Sequence, residues 1–211
     1  MIRDLLTSRA ARPVLLLLCL LPAAWLAAAA WRGALGVNPV EKITHETGQW
    51  TLRLLLATLA ITPLRRIAGW PELIRFRRML GLAAFFYATL HLFTYLWLDQ
   101  FFDWNAIARD IAKRRFITAG MVSFALLLPL AFTSTRRWIA RLGGARWQRL
   151  HRLVYPAAAA GVIHFWWLVK SDIREPALYA AILAVLLAAR LVWRRAKAAA
   201  GAAAPAQTSA R

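Results

Sequence analysis

The chain has 211 residues, of which 61% are hydrophobic and only 18% charged, yet it carries 28 Lys and Arg against 9 Asp and Glu, a net charge of +19. A soluble domain is usually about 45–50% apolar and about 25% charged, a disordered basic tail lacks Leu, Trp and Phe, and a nucleic-acid binder has no use for 11 Trp in apolar surroundings. What remains is a compact multi-span membrane protein, and its single cysteine, Cys19, excludes an internal disulfide framework or a Cys-ligated metal centre.

The first uncharged apolar run covers residues 13–31 and follows Arg3, Arg9 and Arg12. A cleaved signal peptide is the competing reading. The run exceeds the roughly 7–15 residues of a signal h-region and approaches the roughly 20 needed to span a bilayer, so an uncleaved span is expected. Further apolar runs cover 48–64, interrupted by Arg53; 79–98, containing His91; 116–135; 153–169, containing His164; and 176–193, with Arg190 near its end. Runs this continuous close their backbone hydrogen bonds in lipid as helices. The expected fold is all-α: a six-helix transmembrane bundle over residues 1–195. An Ala-rich tail, 196–211, is expected to be disordered. No internal repeat is evident. Segment 99–115 is too polar to span; Phe101, Phe102, Trp104, Ile107 and Ile111 suit it either to the outer surface or to an ordinary loop.

Charge sets the expected orientation. With the N-terminus inside, 19 Lys and Arg fall on the inner side and 8 on the outer side, Arg53 lying within a span; two acids fall inside and seven outside. The positive-inside rule therefore places both termini in the cytoplasm. The Arg clusters are read as topogenic charge and anionic-lipid contacts, not as a nucleic-acid site. Trp31, Trp50, Trp97, Trp104, Trp166 and Trp167 fall near outer ends, and Trp70, Trp138, Trp147 and Trp193 near inner ends, as in an aromatic belt.

An ionisable residue inside a span is costly and points to function, unless it is simply a neutral His bonded to a neighbouring helix. His91 lies 12 residues past the start of its run and His164 lies 11 past the start of its own, about 18 and 17 Å along helices that both run outward. Both imidazoles thus sit in the outer half of the membrane, with no carboxylate or thiolate at that depth to complete a zinc site. Two facing imidazoles in apolar surroundings suit the axial positions of a heme. Gly161, Ala157, Ala158, Ala159, Ala160, Ala83 and Ala84 either leave room for a flat macrocycle or serve ordinary helix packing.

An inner layer is drawn by His151, 13 residues before His164, and Arg77, 14 residues before His91. Each interval is about 20 Å of helix. Fourteen steps return to the same helix face, but thirteen do not; Pro156 offers a point where that helix re-registers. Arg77 either pairs a heme propionate or ends its helix. His45, beside Glu41, Lys42 and Glu46, belongs to the first outer loop and suits either a quinol site or a solvated loop.

Five segments carry a family resemblance: NPVEKITHETGQW (38–50), IRFRRMLGL (74–82), LHLFTYLWL (90–98), RWQRLHRLVYPA (146–157) and IHFWWLVK (163–170). Together they resemble MsrQ (YedZ), the heme-binding membrane subunits of periplasmic protein-methionine-sulfoxide reductase systems. The likeness runs over about 13–193. More distantly, the plan resembles ferric reductase and NADPH-oxidase transmembrane domains, which carry two His on each of two helices. Arg77 stands where one of those His is expected, a departure at the inner layer.

The resemblance implies an electron-transfer subunit in the bacterial inner membrane. It implies b-type heme, one or two, ligated by His91 and His164, with His151 as ligand or propionate contact. It implies FMN, a quinol or cytoplasmic flavin reductase as donor, and a periplasmic molybdopterin-containing catalytic subunit as acceptor. No Rossmann fingerprint or phosphate-cradling Gly loop is present to carry a flavin. A small transporter using the intramembrane His and Arg53, or a structural membrane protein with packed histidines, are the competing readings.

Overall fold

The computed structural model describes residues 2–203, and every regular element among them is helical. A short helix α1 (Ile2–Thr7) leads into α2 (Ala11–Trp31). Next come α3 (Pro39–Ile67), a 3-10 turn (Pro71–Leu73), α4 (Ile74–Phe93) and a π-helical extension of α4 (Thr94–Asp99). Then follow α5 (Trp104–Lys113), α6 (Arg115–Phe132), α7 (Arg136–Leu142), α8 (Gly144–Leu150), a second 3-10 turn (His151–Leu153), α9 (Val154–Leu168) and α10 (Arg174–Ala203).

Four segments are long and apolar enough to cross a membrane: Ala11–Trp31, Pro71–Asp99, Arg115–Phe132 and Arg174–Ala196. The two other expected spans, α3 and α9, do not meet that standard. α3 carries Glu41, Lys42, Glu46, Arg53, Arg65 and Arg66 within its 29 residues, and α9 has only 15 residues. α3 starts earlier than hydropathy suggests because Asn38 caps it. Asn38 Oδ1 accepts from Glu41 N at 3.2 Å while Asn38 Nδ2 donates to the Glu41 carboxylate at 2.9 Å, and Pro39 fits the first turn. His45 is therefore helical, not part of a loop. At the other end of the chain α10 continues through Ala203, so 196–203 extends the helix where a disordered tail is expected; 204–211 lie outside the described residues.

The core is a four-helix arrangement made of two antiparallel pairs, α3 with α4 and α6 with α9. α4 meets α6 through the stacked rings of Phe85 and Phe124, 5.5 Å apart. α3 meets α9 where Leu52 approaches Gly161. Leu55, Leu59, Ala84, Ala157 and Ala158 are almost wholly buried at these contacts. Small residues let helix backbones approach where lipid gives no hydrophobic drive to associate, so Ala84, Ala157 and Ala158 serve packing.

The outer helices are fixed by polar contacts. Tyr87 on α4 is fully buried; its hydroxyl donates to Cys19 O at 2.8 Å and accepts from Ala23 N at 3.0 Å. One hydroxyl thus bridges an i, i+4 pair of α2 backbone groups beside Pro22, the kind of insertion that bends a helix. On the opposite side α10 is held by Arg190, which donates to Leu59 O at 2.7 Å and to Tyr155 Oη at 2.5 Å. Arg53, the charge inside the second expected span, donates to Gln49 Oε1 at 2.7 Å and Tyr179 Oη at 3.1 Å, and Gln49 donates to Glu175 at 2.9 Å. That network ties α3 to α10. Trp50, expected in the outer belt, instead packs on Tyr87 with its ring 5.0 Å from the Arg53 guanidinium.

Tyr87→Phe leaves Cys19 O and Ala23 N without their shared partner. A loss of about 1–3 kcal/mol is expected, read as a lower thermal midpoint of the purified protein in detergent with its helical content retained; an unchanged midpoint would show that the α2 contact does not depend on the hydroxyl.

Candidate functional site

The antiparallel pairing brings His91 of α4 and His164 of α9 together, with ring centroids 5.9 Å apart and planes at 77°. Their backbone setting is duplicated. His91 Nδ1 lies 2.9 Å from Thr44 O on α3, and His164 Nδ1 lies 2.6 Å from Phe116 O on α6. A carbonyl only accepts, so each Nδ1 carries the proton and each Nε2 keeps its lone pair, with no hydrogen bond among the described residues. This is how ligating histidines are oriented: the second ring nitrogen donates to a carbonyl and fixes tautomer and ring direction.

One turn along from each carbonyl stands a glycine. A Cβ on Gly48 would lie 3.0 Å from His91 Cε1, and one on Gly120 would lie 2.9 Å from His164 Nδ1. Both rings occupy space that any other residue there would take. The unit is carbonyl, glycine four residues on, then histidine on the antiparallel partner: Thr44, Gly48, His91 and Phe116, Gly120, His164. The glycine-to-histidine intervals are 43 and 44 residues. That near-equality is visible in the sequence, but reading it requires knowing which helices pair.

The two rings line a cavity of about 820 Å³ between α3, α4, α6 and α9, within the range of small-molecule and cofactor sites. Its inner wall is apolar, with Leu52, Leu55, Ala88, Phe124 and Leu127; its rim is polar, with Glu41, Asp99 and Arg114. Gly161 lines it, while Ala157 and Ala158 do not. His45 lines it too, its ring edge-on to Phe165 at 6.3 Å. Among the described residues no group of three or more His, Cys, Asp or Glu converges, so the donor set is two imidazoles. Two imidazoles with unbonded Nε2 atoms lining one roomy apolar cavity would suit an iron macrocycle, and do not fit a tetrahedral zinc ion.

His151 and Arg77 lie apart from this cavity, at the other end of the bundle. α9 begins at Val154, after the 3-10 turn containing His151. His151 is therefore not on one continuous helix with His164, and Pro156 sits in a first turn where no backbone donor is lost. The register break expected at Pro156 is made by the 3-10 turn. Thr133 Oγ1 donates to Pro129 O at 2.6 Å and lies 3.1 Å from His151 Nε2, so Nε2 is the donor in that contact. The His151 ring stacks on Trp147 at 3.9 Å, and the Trp147 indole donates to Thr133 O at 2.9 Å. Arg77 belongs to a cationic cluster with Arg65 and Arg190 near Tyr155.

Burial, and then the Arg77 charge, hold the His151 imidazole below its ordinary titration range around 6.5. The folded state therefore favours neutral His151, and its contribution is complete above that range and lost as pH falls through it. The fall in thermal midpoint between pH 7 and pH 5 is expected to be shallower in His151→Gln than in the parent; parallel curves would remove His151 from the acid response.

Residues 47–162 match the family described as ferric reductase like transmembrane component. The protein-methionine-sulfoxide reductase heme-binding subunit MsrQ of Rhodospirillum rubrum is 54% identical over 184 residues, covering 87% of this chain and 88% of the relative. That of Herminiimonas arsenicoxydans is 53% identical over 184 residues, covering 86% and 84%. That of Xanthomonas campestris pv. campestris is 61% identical over 162 residues, covering 77% and 73%. With this likeness over most of its length, the chain belongs to the MsrQ family of ferric reductase-like transmembrane proteins.

Proposed function

We propose that this chain is an electron-transfer subunit of the bacterial inner membrane. It holds b-type heme between His91 and His164 and supplies electrons to a periplasmic, molybdopterin-containing subunit that reduces methionine sulfoxide in proteins. The observation that carries the reading is the His91–His164 pair, with both Nδ1 atoms bonded to carbonyls and both rings lining one cavity. The relatives' names as heme-binding subunits of a methionine-sulfoxide reductase support it.

The reading includes six spans, α3 and α9 joining the four apolar segments, with both termini cytoplasmic. Two facts support it. α3 and α9 are each the antiparallel partner of a segment that meets the length and composition standard, and the 19-to-8 division of Lys and Arg orients them all one way. His91 and His164 then face the periplasmic half, next to the acceptor.

Heme bound there supplies a one-electron couple, tuned by axial ligands and burial. The chain's own residues prepare the place. Thr44 O and Phe116 O hold the two rings as Nδ1–H tautomers, Gly48 and Gly120 clear the volume the rings occupy, and Leu52, Leu55 and Leu127 keep water from the cavity's inner wall. Arg114 at the rim offers a guanidinium for a propionate. At the inner end Arg77 carries no lone pair and His151 Nε2 is already a donor. Both suit a propionate or another anion, FMN phosphate included, better than a second iron; one heme is therefore the reading preferred. The donor is a quinol or a cytoplasmic flavin reductase. His45 on the cavity rim is the residue through which a quinol's proton would leave.

The purified protein is expected to show a Soret band, with sharpened α and β bands on dithionite reduction. His91→Ala and His164→Ala each abolish the reduced-heme spectrum. Gly120→Ala pushes on His164 and lowers heme retention by roughly 10–100-fold with helical content unchanged. Full heme with an unaltered reduced spectrum in either His variant would rule out this ligand pair; a colourless parent that moves ions across vesicles would favour the transporter reading.

A further inference from the structure

A second concavity, about 680 Å³, lies between α2 and α4 against the start of α7. It is at the opposite end of α4 from His91: Arg78 precedes His91 by 13 residues, about 20 Å of helix. Four arginines line it, Arg12, Arg75, Arg78 and Arg136. Arg75 is the anchored member. It donates to Leu6 O at 2.9 Å and Ser8 O at 3.3 Å, and its Nε is buried with no partner. The side chains of Arg12, Arg78 and Arg136 make no hydrogen bond or ion pair among the described residues.

The floor is of the opposite character. Leu16 and Leu20 on α2 and Leu82 and Phe86 on α4 are 37–44% exposed and face away from the bundle. Four like charges around one cleft repel, and the repulsion is relieved only by an anion. The apolar floor beside them is covered only by lipid chains or an equivalent hydrocarbon. A cationic rim over a hydrocarbon floor, between two transmembrane helices, matches one chemistry: a phosphate group carrying acyl chains.

We propose that this cleft binds an anionic phospholipid of the cytoplasmic leaflet, its phosphate among Arg12, Arg75, Arg78 and Arg136 and its acyl chains along α2 and α4. The lipid fills the inner part of the seam by which α2 joins the core, on the α4 side. The proposal rests on the membrane reading of the fold and on the inner placement of this end; it is independent of heme.

The test is native mass spectrometry of the full chain in neutral detergent. The protein is titrated with short-chain phosphatidylglycerol, with phosphatidylcholine of equal chain length, and with inorganic phosphate. Phosphatidylglycerol is expected to bind at least tenfold more tightly than phosphatidylcholine. Arg12→Gln with Arg136→Gln, both at exposed positions, weakens phosphatidylglycerol roughly tenfold or more and leaves phosphatidylcholine binding and helical circular dichroism unchanged. Arg12→Lys with Arg136→Lys keeps most of the affinity. Equal binding of phosphatidylglycerol by parent and glutamine variant, or of the two lipids by the parent, overturns the proposal. So does displacement of the lipid by inorganic phosphate at matching concentration, which marks a site for a free anion.

Discussion

Everything at the centre of this molecule depends on two hydrogen bonds from imidazole to a neighbouring helix's carbonyl, His91 to Thr44 and His164 to Phe116. Helical carbonyls are normally committed to their own ladder, and sharing one with a side chain requires that chain to approach the backbone closely. Gly48 and Gly120 make that approach possible. With the rings against the backbone, both imidazoles line the space left between two helix pairs. The site is thus a consequence of helix pairing: α3 carries the socket for α4's histidine, and α6 the socket for α9's.

Around that centre the polar groups of the helices are paired with one another. The chain Tyr179, Arg53, Gln49 and Glu175 gives a half-buried guanidinium its hydrogen-bond partners, and in doing so binds α10 to α3. Arg190 repeats the device at the other end against Leu59 O and Tyr155. Tyr87 does the same for α2. Helices that gain nothing hydrophobic from meeting in lipid are held in register by these bonds.

The two ends of the bundle differ in chemistry. The end with His91 and His164 holds neutral imidazoles, an apolar cavity and a rim of both charge signs. The other end gathers guanidinium groups, Arg65, Arg77 and Arg190 near Tyr155 and Arg12, Arg75, Arg78 and Arg136 along the α2–α4 cleft. The first offers imidazole lone pairs; the second concentrates positive charge. His151 belongs to the second by position, stacked on Trp147 and donating to Thr133.

Composition and hydropathy alone determined that the chain is helical and membrane-embedded, that charge lies asymmetrically along it, and that His91 and His164 fall at one depth. Those features are one-dimensional: 1.5 Å per residue turns a position into a depth. The sequence misplaced His45 because a loop and a capped polar helix have the same hydropathy, and Asn38 with Pro39 decides between them. It put the re-registration between His151 and His164 at Pro156, because spacing does not reveal the 3-10 turn at His151–Leu153. It weighed the alanines for the cavity, whereas Gly48 and Gly120 clear it. Which carbonyl meets which imidazole, and which glycine makes way, depends on how helices distant in sequence pair in space. Only the tertiary structure decided that, because an imidazole's tautomer and direction are set by neighbours that no spacing along one helix contains.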